Sequence, residues 1–280
     1  MADTVRRRAP FSSITALVLA GAIAATVVPL LWMVVVAFQQ PRSIVTPGWN
    51  IDLSLENFLQ VFSPGQIYGT QVVNSVILVV AATGICLIAS IFAAYSLSQL
   101  NWPRRVVIGV LAAAALLQVI PPMTLVPGLF GTLTTLNLNG SLLGLILLNV
   151  VFNLPFAMIM LKFAFDALPT ELRESASIDG ASDFGAFRRV MLPLAAPGIA
   201  AVAIYTAIQV WNEFLFGLVF TTGGAQAPIT VGIATLIQPQ EIKFGGMAAI
   251  GVVTAVPIII LAIAANRQIV AGLMGGAVKG

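Results

Sequence analysis

The chain has 280 residues, 59% of them hydrophobic and only 8% charged, with a mean hydropathy of +1.02. Soluble domains carry roughly a quarter charged residues, so this is a polytopic membrane protein whose core is a lipid-facing helix bundle. There is no histidine and one cysteine, Cys86, inside an apolar run, which excludes an intrachain disulfide and a cysteine-cluster metal site.

Arg6, Arg7 and Arg8 precede an apolar run over residues 14–38. A signal peptide has an apolar region of about 7–15 residues and a small-residue cleavage site. This run is longer and is expected to be a first transmembrane helix, kinked at Pro29. Residues 39–71 read as a polar loop whose 55–62 portion forms a short interfacial helix, with Trp49 and Phe58 at headgroup depth. Five further spans are expected at 72–97, 106–130, 142–165, 196–220 and 246–265, which makes the fold all-α. The third is broken at Pro121-Pro122 and again near Pro127, and a loop at 131–140 follows it. Pro155 and Pro197 are candidate bending points in the fourth and fifth spans. Residues 266–280 form a polar or glycine-rich tail, and no separate soluble domain is visible.

Lysine and arginine set the orientation. With both termini cytoplasmic, the inner side holds Arg6, Arg7, Arg8, Arg104, Arg105, Lys162, Arg173, Arg188, Arg189, Arg267 and Lys279, and the outer side only Arg42 and Lys243. Eleven against two is a strong positive-inside bias. The net charge of +3, which in a soluble chain would hint at nucleic acid, here reports orientation.

That orientation puts residues 168–193 in the cytoplasm. Seven charged residues crowd this stretch, between segments able to span a bilayer. Thr170 is expected to cap a first helix, with Glu171 in its first turn, and Leu172, Ser175 and Ala176 share one face. Asp179-Gly180 ends that helix through a positive φ at the glycine. Ser182 caps a second helix carrying Phe184, Phe187 and Arg188, and Pro193 stops it. The small residues at 175–177 allow close approach, so the stretch is a docking knob. Its shortness and membrane tether argue against a DNA-binding helix-turn-helix.

The spacing of Glu174-Ser175-Ala176, Gly180, Val190 and Leu192-Pro193 resembles the "EAA" loop of ATP-binding-cassette (ABC) importer permeases. Ser175 stands where the pattern has alanine, and Val190 where it has isoleucine. Asn153-Leu154-Pro155-Phe156, Asp179-Gly180-Ala181-Ser182, Trp211-Asn212-Glu213-Phe214 and the residues from Ile269 to Gly280 resemble the carbohydrate branch, maltose-permease G-type subunits in particular. The resemblance implies a heterodimer with a second six-span permease, two cytoplasmic ATPase subunits, an external solute-binding protein and a sugar as solute. The setting it implies is a bacterial or archaeal cell membrane. It further implies that Glu174, Ser175, Ala176, Asp179, Gly180, Leu192 and Pro193 couple to the ATPase, and that the tail residues Gly276, Val278, Lys279 and Gly280 reach its interface. Importers of glycerol-phosphate, amino acids and peptides share the loop, so the solute class stays open at this point.

The only lysines are Lys162, Lys243 and Lys279, and no G-x-x-x-x-G-K-[ST] phosphate cradle exists. No cofactor is expected on this chain; ATP and Mg belong to the ATPase subunits. Without histidine or a pair of intramembrane carboxylates, an enzyme or a metal site is not expected. A secondary transporter or channel is the nearer rival, but one usually carries ion-coupling charges, and here Glu213 stands nearly alone. Tyr205, Gln209, Asn212 and Glu213 form a modest polar stripe compatible with a solute pathway. Glu213 can equally be an interfacial carboxylate beside Trp211 or a pair for the partner permease.

Overall fold

The computed structural model describes residues 13–45, 52–221, 224–238 and 242–276. Among them the chain is helical, with two isolated β-bridges, Gln39 to Leu53 and Ile237 to Ile242. Among the described residues, five helices are long and apolar enough to cross a membrane, or six if one sharply bent pair counts as a span.

Helix α1 (Ser13–Ala37) runs through Pro29, and two short helices follow, α2 (Pro41–Val45) and α3 (Glu56–Phe62). The expected interfacial helix is α3, but it is anchored to protein. Asn57, only 2% exposed, donates through Nδ2 to the carbonyls of Ala37 at 3.1 Å and Gln39 at 2.7 Å. The end of α1 leaves such carbonyls without a partner of its own. A Cβ at Gly245 would collide with the Asn57 amide, so glycine lets the chain close in there. Phe58 packs on Phe38 at 4.9 Å; Trp49 lies outside the described residues.

After the 32-residue α4 (Tyr68–Gln99), the expected single span 106–130 is two helices, α5 (Arg104–Val119) and α6 (Pro122–Thr135), bent by 99°. The adjacent prolines cause the bend. Each lacks an N–H, and Pro121 forces Ile120 into extended backbone at φ −72 and ψ 120. Pro122 then opens α6, where a missing N–H costs nothing. Pro127 sits within α6 without breaking it, and the helix runs to Thr135, into the expected loop. Helix α7 (Leu142–Asp166) is capped by Ser141, whose Oγ accepts from the Gly144 amide at 3.0 Å, and it contains Pro155.

The chain then forms α8 (Glu171–Ile178), α9 (Asp183–Ala186), a π-helical turn over Phe187–Met191, and α10 (Leu192–Trp211). Pro193 does not stop the helix, contrary to expectation. The Leu192 amide bonds the Phe187 carbonyl five residues back, and this widened turn absorbs the proline's missing donor and its ring. One helix therefore runs continuously from Asp183 to Trp211. It ends there, and α11 (Leu215–Phe220) follows only after a break, where an unbroken span 196–220 is expected. Last come α12 (Ile229–Thr235) and α13 (Phe244–Gly276). The backbone of the polar or glycine-rich tail is helical as far as Gly276.

Helices α4, α7 and α10 pack on one another, and α10 reaches α13. Gly198 allows the α7–α10 approach, since a Cβ there would meet that of Ala164 at 2.7 Å. One buried cluster, with Tyr95, Leu161, Phe165, Phe187 and Met191, lies at the 168–193 end. A second, with Leu78, Leu145, Val210, Phe216 and Phe220, fills the opposite half.

Candidate functional site

The 168–193 segment folds as a two-helix knob. Helix α8 begins without the expected side-chain cap, because Thr170 is itself helical at φ −64 and ψ −26. It ends as expected. Gly180 takes φ +86, the Ala181 amide bonds the Ala176 carbonyl at 3.0 Å, and the Gly180 amide bonds that of Ser177 at 3.1 Å. This pair of bonds satisfies carbonyls that the helix end would otherwise orphan. Ser182 accepts from the Gly185 amide at 3.1 Å and caps α9. An Arg173–Asp183 ion pair at 3.3 Å ties the two helices together.

Glu174, Ser175, Asp179 and Gly180 are exposed on this knob, and Ala176 is half-buried beside them. Ile178 is 86% exposed and Phe184 60%. Leu192 and Pro193 are placed differently. Leu192 packs against the buried cluster below, and Pro193 sits in the first turn of α10. Of the tail residues, Gly276 ends α13, and Val278, Lys279 and Gly280 lie outside the described residues.

At the other end of α10, a cavity of about 450 Å³ opens beside the break. Gln209, Asn212 and Glu213 line it, together with Gln118 of α5 and Asn149 and Asn153 of α7. Tyr205 does not; it is exposed, and its ring packs at a tilt on Phe156 at 4.5 Å. Because α10 stops at Trp211, Glu213 lies beyond the helix and the expected stripe is interrupted. The Glu213 carboxylate accepts from the amides of Phe216 at 2.6 Å and Gly217 at 3.0 Å. It therefore satisfies two of the open amides at the N-terminus of α11, a role none of the sequence readings contained. Thr230 donates its hydroxyl to the Glu213 carbonyl.

Gln118 and Asn149 are absent from the sequence-level candidates, and Asn153 is present there only as part of a motif. Their signal is the presence of amides inside apolar spans, where polar groups are rare and face a bundle interior or a cavity. Asn149 and Asn212 each donate to the carbonyl one turn back, at 2.9 and 2.8 Å, and Asn153 does the same to Asn149 at 2.8 Å. Each amide thereby keeps a carbonyl oxygen to offer. Among the described residues, no group of three or more Cys, Asp or Glu side chains could hold a metal ion.

Residues 85–273, from the middle of α4 through α13, match the family of binding-protein-dependent transport system inner membrane components. The chain belongs to this family. The permease is 35% identical over 257 residues to the trehalose transport system permease protein SugB of Mycobacterium tuberculosis, covering 90% of this chain and 92% of that protein. It is 32% identical over 270 residues to the trehalose/maltose transport system permease protein MalG of Thermococcus litoralis, covering 94% and 96%. Its fold matches a chain of a bacterial ABC transporter involved in the import of the acidic polysaccharide alginate, with a TM-score of 0.78 at 19% identity. That match covers 92% of the permease and 95% of the other chain. The protein is thus a multi-pass transport subunit.

Proposed function

We infer that this permease forms half of the translocation pathway of an ATP-driven sugar importer and takes its power stroke through the 168–193 knob. The observation that carries this is the exposed, turn-locked knob, covalently continuous with α7 and α10, on a chain with no phosphate cradle of its own. Active transport then requires a separate motor: two ATPase subunits that bind ATP and Mg and receive Glu174, Ser175, Ala176, Asp179 and Gly180. Leu192 and Pro193 set the angle at which the knob meets α10. The tail from Gly276 through Val278, Lys279 and Gly280 reaches toward the same interface. A second six-span permease completes the pathway and an external binding protein delivers the solute; both termini are cytoplasmic. The sugar assignment is supported by relatives named for trehalose, trehalose/maltose and diacetylchitobiose. The amide-lined cavity agrees with it, since amides offer both donors and acceptors to hydroxyl groups.

The assembled complex in proteoliposomes is expected to take up a saccharide such as trehalose or maltose saturably, and only with ATP and binding protein present. Uptake of amino acids, peptides or glycerol phosphate in preference to any saccharide would overturn the solute class. Uptake without ATP would overturn the importer.

The orientation makes a separate prediction. In a Cys86-free background, cysteines at Ser54 and Gln226 are expected to react with an impermeant reagent from outside, and one at Ser177 is not. Labelling of Ser177 in intact cells would reverse the orientation.

A further inference from the structure

Beneath the knob the buried cluster contains a set of aromatic rings to which no role has been assigned. Phe187, in the π-helical turn, is 5% exposed. Its ring centre is 4.7 Å from that of Tyr95 and 5.4 Å from that of Phe92, both on α4. Tyr95 in turn meets Phe165 of α7 edge-on at 5.6 Å. Gln99, at the end of α4, donates to the Phe165 carbonyl at 2.9 Å. Three segments far apart in the chain therefore meet in one buried cluster under the knob.

The opposite end of α4 is also gripped. Asn74 donates to the carbonyls of Ala225 at 2.6 Å and Ala227 at 3.1 Å, Gln71 donates to that of Gly224 at 3.3 Å, and the Ile229 amide donates to Ser75 Oγ at 2.9 Å. The segment held this way leads directly to Thr230, which bonds the Glu213 carbonyl at the edge of the cavity.

We propose that α4 is a connecting rod and that Phe187 and Tyr95 are the positioning residues that bolt its inner end to the knob. Helices α7 and α10 follow the knob because they are covalently joined to it; α4 is not. At 1.5 Å per residue its 32 residues span roughly 48 Å. Helix α4 also packs along α7 and α10; the ring cluster adds a direct contact through which a displaced knob carries the inner end of α4 along. Gln71, Asn74 and Ser75 then carry that movement to the 224–229 segment and the break at Glu213. Helices α8 and α9 both pack on the π-helical turn that carries Phe187, and the Arg173–Asp183 pair joins them, so a push on the exposed face is passed to Phe187.

The proposal rests on the reading that the knob meets an ATPase. Loss of ATPase subunits from a knob-surface variant tests that reading separately, because Phe187 lies on the buried side. In the full complex, Phe187→Ala is expected to retain its ATPase subunits and hydrolyse ATP within about twofold of wild type, with uptake per ATP falling about fivefold. Labelling of a cysteine at Gln226 is expected to change between nucleotide states in the wild-type background and to lose that dependence in Phe187→Ala. Tyr95→Phe keeps the ring and is expected to couple normally. Met158→Ala, a similarly buried truncation outside both clusters, is expected to lower the melting temperature but leave uptake per ATP unchanged. If Phe187→Ala does not assemble, Phe187→Leu is held to the same criteria. Wild-type uptake per ATP in the Phe187 variant overturns the proposal. An equal fall in Met158→Ala also overturns it, because the effect would then be general loosening of the bundle.

Discussion

Gly180→Leu is expected to leave the permease folded and paired while abolishing productive contact with the ATPase, with uptake reduced roughly tenfold or more. Gly180 holds φ +86 in the turn between α8 and α9. A side chain there costs roughly 1 kcal/mol or more, because the Cβ meets a backbone carbonyl. That cost is local, and a Cβ at Gly180 meets no atom of the rest of the chain within 4 Å. Insertion and bundle packing are therefore untouched, and the added isobutyl group projects from the face proposed to dock. Gly180→Ala separates the two effects. It carries the strain with little added bulk, so it should keep most of its uptake if bulk is decisive, and lose as much as the leucine variant if the turn itself is decisive. Co-purified ATPase subunits and uptake are the two readings needed. Wild-type values of both in Gly180→Leu would remove the knob from the coupling mechanism.

The fate of the knob and of the fifth span shows what a sequence carries and what it does not. The Asp179-Gly180 turn and the Ser182 cap are local chemistry, set by residues within three or four positions, and both are legible. The bend at Pro121-Pro122 is legible for the same reason, although its angle is not. The break after Trp211 is different. Residues 196–220 are apolar apart from a few polar positions, and nothing in their periodicity demands an interruption. The interruption is held by a carboxylate turned onto the next helix and by Thr230, which is 17 residues away. Pro193 misleads in the opposite direction. It carries the local signal of a helix stop, yet the buried side chains of Phe187 and Met191 keep the helix going through a widened turn. The polar grip of Gln71, Asn74 and Ser75 on the 224–229 segment joins residues some 150 apart, and no local pattern encodes such a pairing.

Glu213→Ala is expected to be the most damaging single truncation at the cavity, and the way it fails identifies what Glu213 does. Its carboxylate accepts from two amides, those of Phe216 and Gly217, at the start of α11. Removing it strands both donors in a half-buried site beside the cavity, at a cost of about 1–3 kcal/mol for each group left unsatisfied. The melting temperature of the purified complex should fall, and uptake should fall with it, because α11 forms one wall of the cavity through Leu215 and Phe216. Glu213→Gln keeps one acceptor oxygen and should recover most of the stability. Its amide nitrogen would face one of the two backbone donors, so recovery should remain incomplete. If Glu213 bound solute directly, the pattern would invert: the alanine variant would melt as wild type does and show a raised apparent KM. A cap is silent to solute concentration and visible to heat. Glu213→Ala with an unchanged melting temperature and a raised KM would therefore return Glu213 to the solute pathway, and α11 would need another source for its N-terminal bonds.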